Sequence, residues 1–248
     1  MQSFKAAFIN ELERIVKRKK FMSAGILSLI AIALGQLIVV LIKRFSGINV
    51  AGASAFPILV LSVFSHTFIP LFGIFVAADL FSGEASSNTL KISLSRPVSR
   101  FKIFSAKVSA LAVFVIFHLI FSMIVALIST IITSGAGGVN YFTVIIAYLV
   151  SFFPVFVFVL ASVLLSNLLK SPTSVFMLSI VTFLVLWALG ILFSSYSSFF
   201  IIPLFDWYTF FTGNFINAAK VLRTFVIILS MGGLLFSAGY FMFEKRSI

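Results

Sequence analysis

Cysteine is absent from the 248 residues, which excludes disulfide bracing, thiolate chemistry and cysteine-bound metal. Charge is nearly as scarce. Only 10% of the residues are Asp, Glu, Lys or Arg, against about 25% in soluble domains. There are six acids and two histidines, so a catalytic constellation has few parts to draw on. The familiar patterns are missing as well: the chain contains no H-E-x-x-H, no G-x-S-x-G and no G-x-x-x-x-G-K-[ST]. Without the last of these the chain cannot split ATP by a P-loop, and any ATP-driven work would need a separate polypeptide.

What fills the chain is apolar. Hydrophobic residues make up 61% and the mean hydropathy is +1.23, values that belong to an integral membrane protein. Its length leaves no room for a soluble catalytic domain beside several spans. Since about 20 helical residues cross the hydrocarbon core, six stretches free of Asp, Glu, Lys and Arg are predicted spans: Phe21–Ile42, Pro57–Ala78, Val108–Ile132, Phe142–Ser166, Thr173–Phe193 and Thr224–Phe243. Continuous apolar runs of this length are helices, not the alternating strands of a barrel. The expected fold is therefore an all-α integral membrane protein with six transmembrane helices. The first run is too long for the core of a cleavable signal, roughly 7–15 residues.

The net charge of +12 would suggest nucleic acid in a soluble protein. Here it points to membrane lipid, because cations cluster at span ends on the cytoplasmic side. With the N-terminus inside, 14 cations fall on the inner side: Lys5 to Lys20, Lys91 to Lys107, Lys170, Lys245 and Arg246. Four fall outside: Lys43, Arg44, Lys220 and Arg223. Both termini are expected in the cytoplasm.

Two segments depart from a plain bundle. In residues 1–20, Phe4, Phe8, Leu12, Ile15 and Val16 recur at helical spacing, with Lys5, Glu13, Lys17 and Arg18 largely off that stripe. This predicts an interfacial amphipathic helix ending in the basic run 17–20. A lipid anchor and a packing surface for another subunit fit it equally. The rest of the chain, 21–248, forms the six-span domain. On the outer side, 194–223 contains "FFIIPLFDWYTFF", too apolar for a solvated loop, and reads as a re-entrant segment of one or two short helices. Pro203, Asp206 and Trp207 make it a candidate outer gate. The two three-span halves show no repeat, which argues against an inverted-repeat transporter.

Inside the spans the titratable groups besides tyrosine are His66 and His118. Hydrogen-bonded bundle residues and a translocation path both fit them; a metal site fits poorly, since no carboxylate lies near them in sequence. Asp79 and Glu84 close the second span, where a polar stop explains Asp79.

The longest polar interruption is Gly83–Lys107, "GEASSNTLKISLSRPVSRFKIFSAK". Ser86, Ser87 and Asn88 can cap a short helix over Thr89–Ser95 whose Leu90 and Leu94 share a face. Pro97 ends it by forcing Arg96 out of helical geometry. Ser99 then caps a helix leading into the third span. A solvated basic loop has no need of Leu90, Ile92 and Leu94, whereas a protein contact does.

"GEASSNTLKISLSRPVSR" resembles the stretch between the second and third spans of type-2 ABC exporter permeases, in which the pattern G-E-x-x-x-G-T-L-K-x-x-L-x-x-P-V-S-R is common. Gly83, Glu84, Thr89, Leu90, Lys91, Leu94, Pro97, Val98, Ser99 and Arg100 match. Asn88 stands where glycine is usual, a departure at the start of the helix that leaves its contact face intact. The resemblance extends to the layout of interfacial helix, six spans, re-entrant segment and terminal "FEKRSI". It implies a non-enzymatic permease subunit in the plasma membrane of a bacterium or archaeon, paired with a second permease chain. Separate cytoplasmic ABC ATPase subunits would carry the ATP and Mg. Glu84, Thr89, Leu90, Leu94, Arg96 and Pro97 would form the coupling helix to that ATPase, with Glu84 facing a cation of the ATPase. The 33 phenylalanines suit a hydrophobic or amphipathic cargo of peptide, drug or lipid-like type better than a polysaccharide, which wants a more polar lining, although lipid-facing positions explain them more simply. The rival reading is a membrane anchor or sensor subunit that recruits a different cytoplasmic partner by the same loop.

Overall fold

A computed structural model describes residues 2–47, 55–84, 99–193, 200–213 and 217–245. Among these the secondary structure is helical throughout, without a strand. The helices are α1 (Gln2–Val16), α2 (Lys19–Ser46), α3 (Ala55–Gly83), α4 (Arg100–Ser134), α5 (Tyr141–Leu168), α6 (Pro172–Leu192) and α7 (Ala218–Lys245). Helices α2 to α7 are each long and apolar enough to cross a membrane, and they contain the six predicted spans save for Phe193, the C-cap of α6. Between α6 and α7 a 3₁₀ turn, Pro203–Tyr208, runs into a single α-turn, Thr209–Thr212.

Local chemistry sets the ends. Gly47 closes α2 in the left-handed region (φ 68°), its N–H reaching the Lys43 carbonyl at 3.1 Å, a conformation glycine adopts without steric cost. Asn140 caps α5 by accepting the Thr143 N–H at 3.2 Å. Pro172 starts α6, where its missing N–H costs nothing. Ser99 has the extended backbone of an N-cap before α4, but its hydroxyl makes no cap bond. The third span thus begins as helix at Arg100, two turns ahead of its apolar core, and Lys102 and Lys107 become helical residues.

Helix α3 is irregular at two places. Pro70 has no N–H for the His66 carbonyl, and the helix widens into a π-turn over Phe64–Phe68 just before it. A second π-turn, Asp79–Gly83, lies at the opposite end and leads into Glu84.

Helix α5 is the hub. Of its most apolar 18-residue window 56% is buried, against 11% for α6 and α7, so α5 is enclosed by protein while α6 and α7 keep broad apolar faces open. Close approach to α3 needs Gly73, where a Cβ would lie 2.6 Å from Val159 Cγ2. Tyr148 donates its hydroxyl to the Pro57 carbonyl at 2.9 Å, another α5–α3 tie. Ser151, Ser162 and Ser166 bond carbonyls one turn back, which satisfies their hydroxyls inside the helix. Not all of the phenylalanines lie on the outer faces of the bundle. Many pack inside: Phe81 lies edge-on to both Phe104 and Phe243 in a buried group joining α3, α4 and α7.

Helix α1 lies along α4. Its inward face differs from the apolar stripe in the sequence: Val16 is 45% exposed, whereas Glu11 is buried beside Ile15.

Candidate functional site

Two groups of polar side chains stand at opposite ends of the bundle. At the end carrying α1, Lys107 is wholly buried. It belongs to the inward stripe of α4 with Phe104, Leu111 and Phe114, spaced three and four residues apart. Its ammonium donates to Glu84 Oε1 at 2.5 Å and to Glu11 Oε1 at 2.8 Å. The Arg14 guanidinium also reaches Glu84 and stands 4.0 Å from Glu11. Two cations and two carboxylates thus balance in charge, and they tie α1, the end of α3 and the start of α4 to one another. Burial makes each charge dependent on the others, because an unpaired ion out of water is strongly unfavourable. Beside them Asp79 takes Arg18 at 2.7 Å and Lys20 at 2.8 Å, a second clasp between α3 and the junction of α1 and α2.

Glu84 is the last described residue before 85–98. Its expected partner was a cation of an ATPase; its carboxylate instead lies fully buried against Lys107 and Arg14 of its own chain. Thr89, Leu90, Leu94, Arg96 and Pro97 lie outside the described residues.

At the far end, the candidate gate residues and one of the two histidines meet. His66, in the first π-turn of α3, has Nδ1 2.9 Å from the Ser62 carbonyl and Nε2 3.6 Å from Asp206 Oδ2. Phe205 stacks edge-on to the imidazole with 5.3 Å between centroids and continues to Phe158 and Phe183. Pro203 presses on Gly190, where a Cβ would come within 2.5 Å of the proline ring. Trp207 is buried and donates its indole N–H to the Val150 carbonyl at 2.8 Å. That carbonyl needs a donor because Pro154, four residues on within α5, has none. The proline gap of α5 is thus the socket for the tryptophan of the docked segment.

His118 does not join this group. It is buried in an aromatic nest of Phe21, Phe72, Phe114 and Phe117, with Nδ1 3.0 Å from the Phe114 carbonyl one turn back.

Sequence reasoning missed Glu11, Arg14 and Lys107. A signal existed: Glu11 falls at i+4 from Ala7 and i−4 from Ile15 on the inward side of α1, and Lys107 interrupts an apolar stripe. An acid and a base each on an otherwise buried face is the pattern of a partnered pair.

Six apolar helices, with α5 enclosed among them and charge confined to the helix ends, define a multi-pass integral membrane protein. The sequence model of one family, described as ABC-2 family transporter protein, matches residues 64–248, from the first π-turn of α3 to the last residue. The chain belongs to that family, whose members are membrane permease components of transporters. Comparison with curated proteins gives no match.

Proposed function

We propose that the chain is the permease subunit of an ATP-driven exporter, working as a dimer with a second permease chain. Separate cytoplasmic ATPase subunits carry ATP and Mg, and the segment 84–96 couples to them. Both termini face the cytoplasm, and the 200–213 segment is embedded in the outer half of the membrane. The observation that carries this reading is the motif that opens at Gly83 and Glu84. Its matched positions Thr89, Leu90, Leu94 and Pro97 follow a carboxylate locked onto α1 and α4. A push on the segment from the ATPase then moves the origins of two spans and the N-terminal helix together. Glu84 acts in coupling as this anchor. Cargo is a hydrophobic or amphipathic compound of peptide, drug or lipid-like type, in keeping with the apolar lining between α3 and α6 at His66, Pro70, Ile74 and Phe183.

The test is Leu90→Asp or Leu94→Asp. Each leucine buried in an ATPase groove contributes about 1.5–3 kcal/mol, and a carboxylate placed there without a partner costs a few kcal/mol more. Since about 1.4 kcal/mol is tenfold in affinity, either variant should reach normal levels in the membrane yet lose its co-purifying ATPase and its transport. Normal ATPase binding and export by both variants would overturn the coupling assignment. Orientation is checked in this cysteine-free chain by Ser87→Cys and Ser195→Cys: an impermeant thiol reagent on intact cells should label position 195 and spare 87.

A further inference from the structure

At the end of the bundle away from α1, the docked segment and the start of α7 enclose a cavity of about 230 Å³. Trp207 and Phe210 line it from the segment; Lys220, Arg223 and Ile227 line it from α7. Lys220 and Arg223, three residues apart, share a helix face, and neither has a carboxylate partner within ion-pair distance among the described residues. The Lys220 ammonium sits 4.4 Å from the Phe210 ring centroid, a contact that orients it without neutralising it. One acid, Asp206, is among the lining residues, and it already faces His66 at 3.6 Å. The lining therefore carries two fixed positive charges against one negative, over a floor that includes the buried Trp207 and Leu204. Around α7 from Arg223, Leu222, Val226 and Leu229 are exposed, so an apolar face adjoins the charged wall.

We propose that this cavity binds the phosphate headgroup of an anionic phospholipid, with its acyl chains along the exposed face of α7. The cation pair selects phosphate, and the adjoining apolar face selects a lipid over a free anion. Arginine grips phosphate oxygens with its planar fork, and lysine supplies a point charge beside it. Neither an ATPase nor transport is required, so the site stands or falls separately from the exporter reading.

The two tryptophans are Trp187 and Trp207, which permits a local readout. The full chain carrying Trp187→Phe is reconstituted in phosphatidylcholine bilayers, and Trp207 fluorescence is titrated with phosphatidylglycerol brominated near the headgroup end of its acyl chains. The control titrant is phosphatidylcholine brominated in the same way. Phosphatidylglycerol should quench at a roughly 25-fold lower mole fraction, since each of the two cations contributes about fivefold. Lys220→Gln with Arg223→Gln should abolish the preference, while Lys43→Gln with Arg44→Gln, at the same end of the bundle but outside the cavity, should leave it intact. Equal quenching of the unaltered cavity by the two lipids overturns the proposal, as does a preference that survives Lys220→Gln with Arg223→Gln. Loss of the preference in millimolar inorganic phosphate at constant ionic strength would assign the site to a soluble anion and overturn it equally.

Discussion

The two ends of this bundle fasten a non-spanning segment to the spans by opposite chemistry. At one end α1 is held through Glu11, Arg14, Glu84 and Lys107, a charge-balanced set around a fully buried ammonium. At the other, Pro203–Thr212 is held by aromatic packing, the indole hydrogen bond of Trp207 and a side-chain hydrogen bond between Tyr208 and Ser62, with its ion pair, His66–Asp206, left partly open to solvent. A buried ionic clasp fails as a unit when one member is lost, since the partners remain charged and out of water. An aromatic dock is graded: each ring contributes its own area and slides without leaving a bare charge. The first suits a joint that must transmit displacement between helices. The second suits a segment that has to seat and unseat.

The largest expected effect tests the clasp. Lys107→Met leaves Glu11 and Glu84 buried with only the partly buried Arg14 between them, and removal of one partner of such a set costs about 3–5 kcal/mol. Thermal unfolding in detergent should show a steep loss of stability, or the variant should fail to accumulate. Adding Glu11→Gln and Glu84→Gln removes the stranded charges and should recover much of the loss. A Lys107→Met protein as stable as the unaltered chain would mean that the cluster is solvated, and the contrast between the two ends would dissolve.

A smaller effect is expected at the dock. Trp207→Phe keeps most of the ring packing but strips the donor from the Val150 carbonyl, a buried acceptor whose loss of its partner costs about 1–3 kcal/mol. In a Pro154→Ala background the restored amide at position 154 can supply that carbonyl within the helix. The cost of Trp207→Phe should then shrink, a non-additivity that thermal unfolding of the two singles and the double resolves. Equal costs in both backgrounds would show that the indole is held by packing alone.

How much of this was legible in the sequence differs by the kind of signal. The spans were, because six uncharged runs leave no other way to satisfy the backbone in lipid. The docked segment was in part: "FFIIPLFDWYTFF" is too apolar for water, yet nothing local says that Trp207 answers Pro154, 53 positions earlier. His66 and Asp206 were picked out for separate roles, and only the π-turn before Pro70 shows that they face one another. The clasp escaped because its four members lie on three helices, and a charge near a span end looks like an ordinary interfacial cation or polar stop. Lys107 was counted among the inner-side cations, and among the described residues it is the least exposed cation of the end where it was placed.

The smallest expected effect concerns that far-end pair. His66 and Asp206 side chains are 25% and 54% exposed, and pairs so open to solvent contribute about 0–1 kcal/mol. Asp206→Asn should therefore leave thermal stability nearly unchanged while the indole and aromatic contacts of the docked segment persist. The same substitution deletes the one acid among the described residues lining the cavity beside Lys220 and Arg223. Preference for phosphatidylglycerol over phosphatidylcholine at Trp207 should rise, not fall. A loss of stability as large as that of Trp207→Phe would instead make the far end an ionic joint, and the two ends would then differ only in burial.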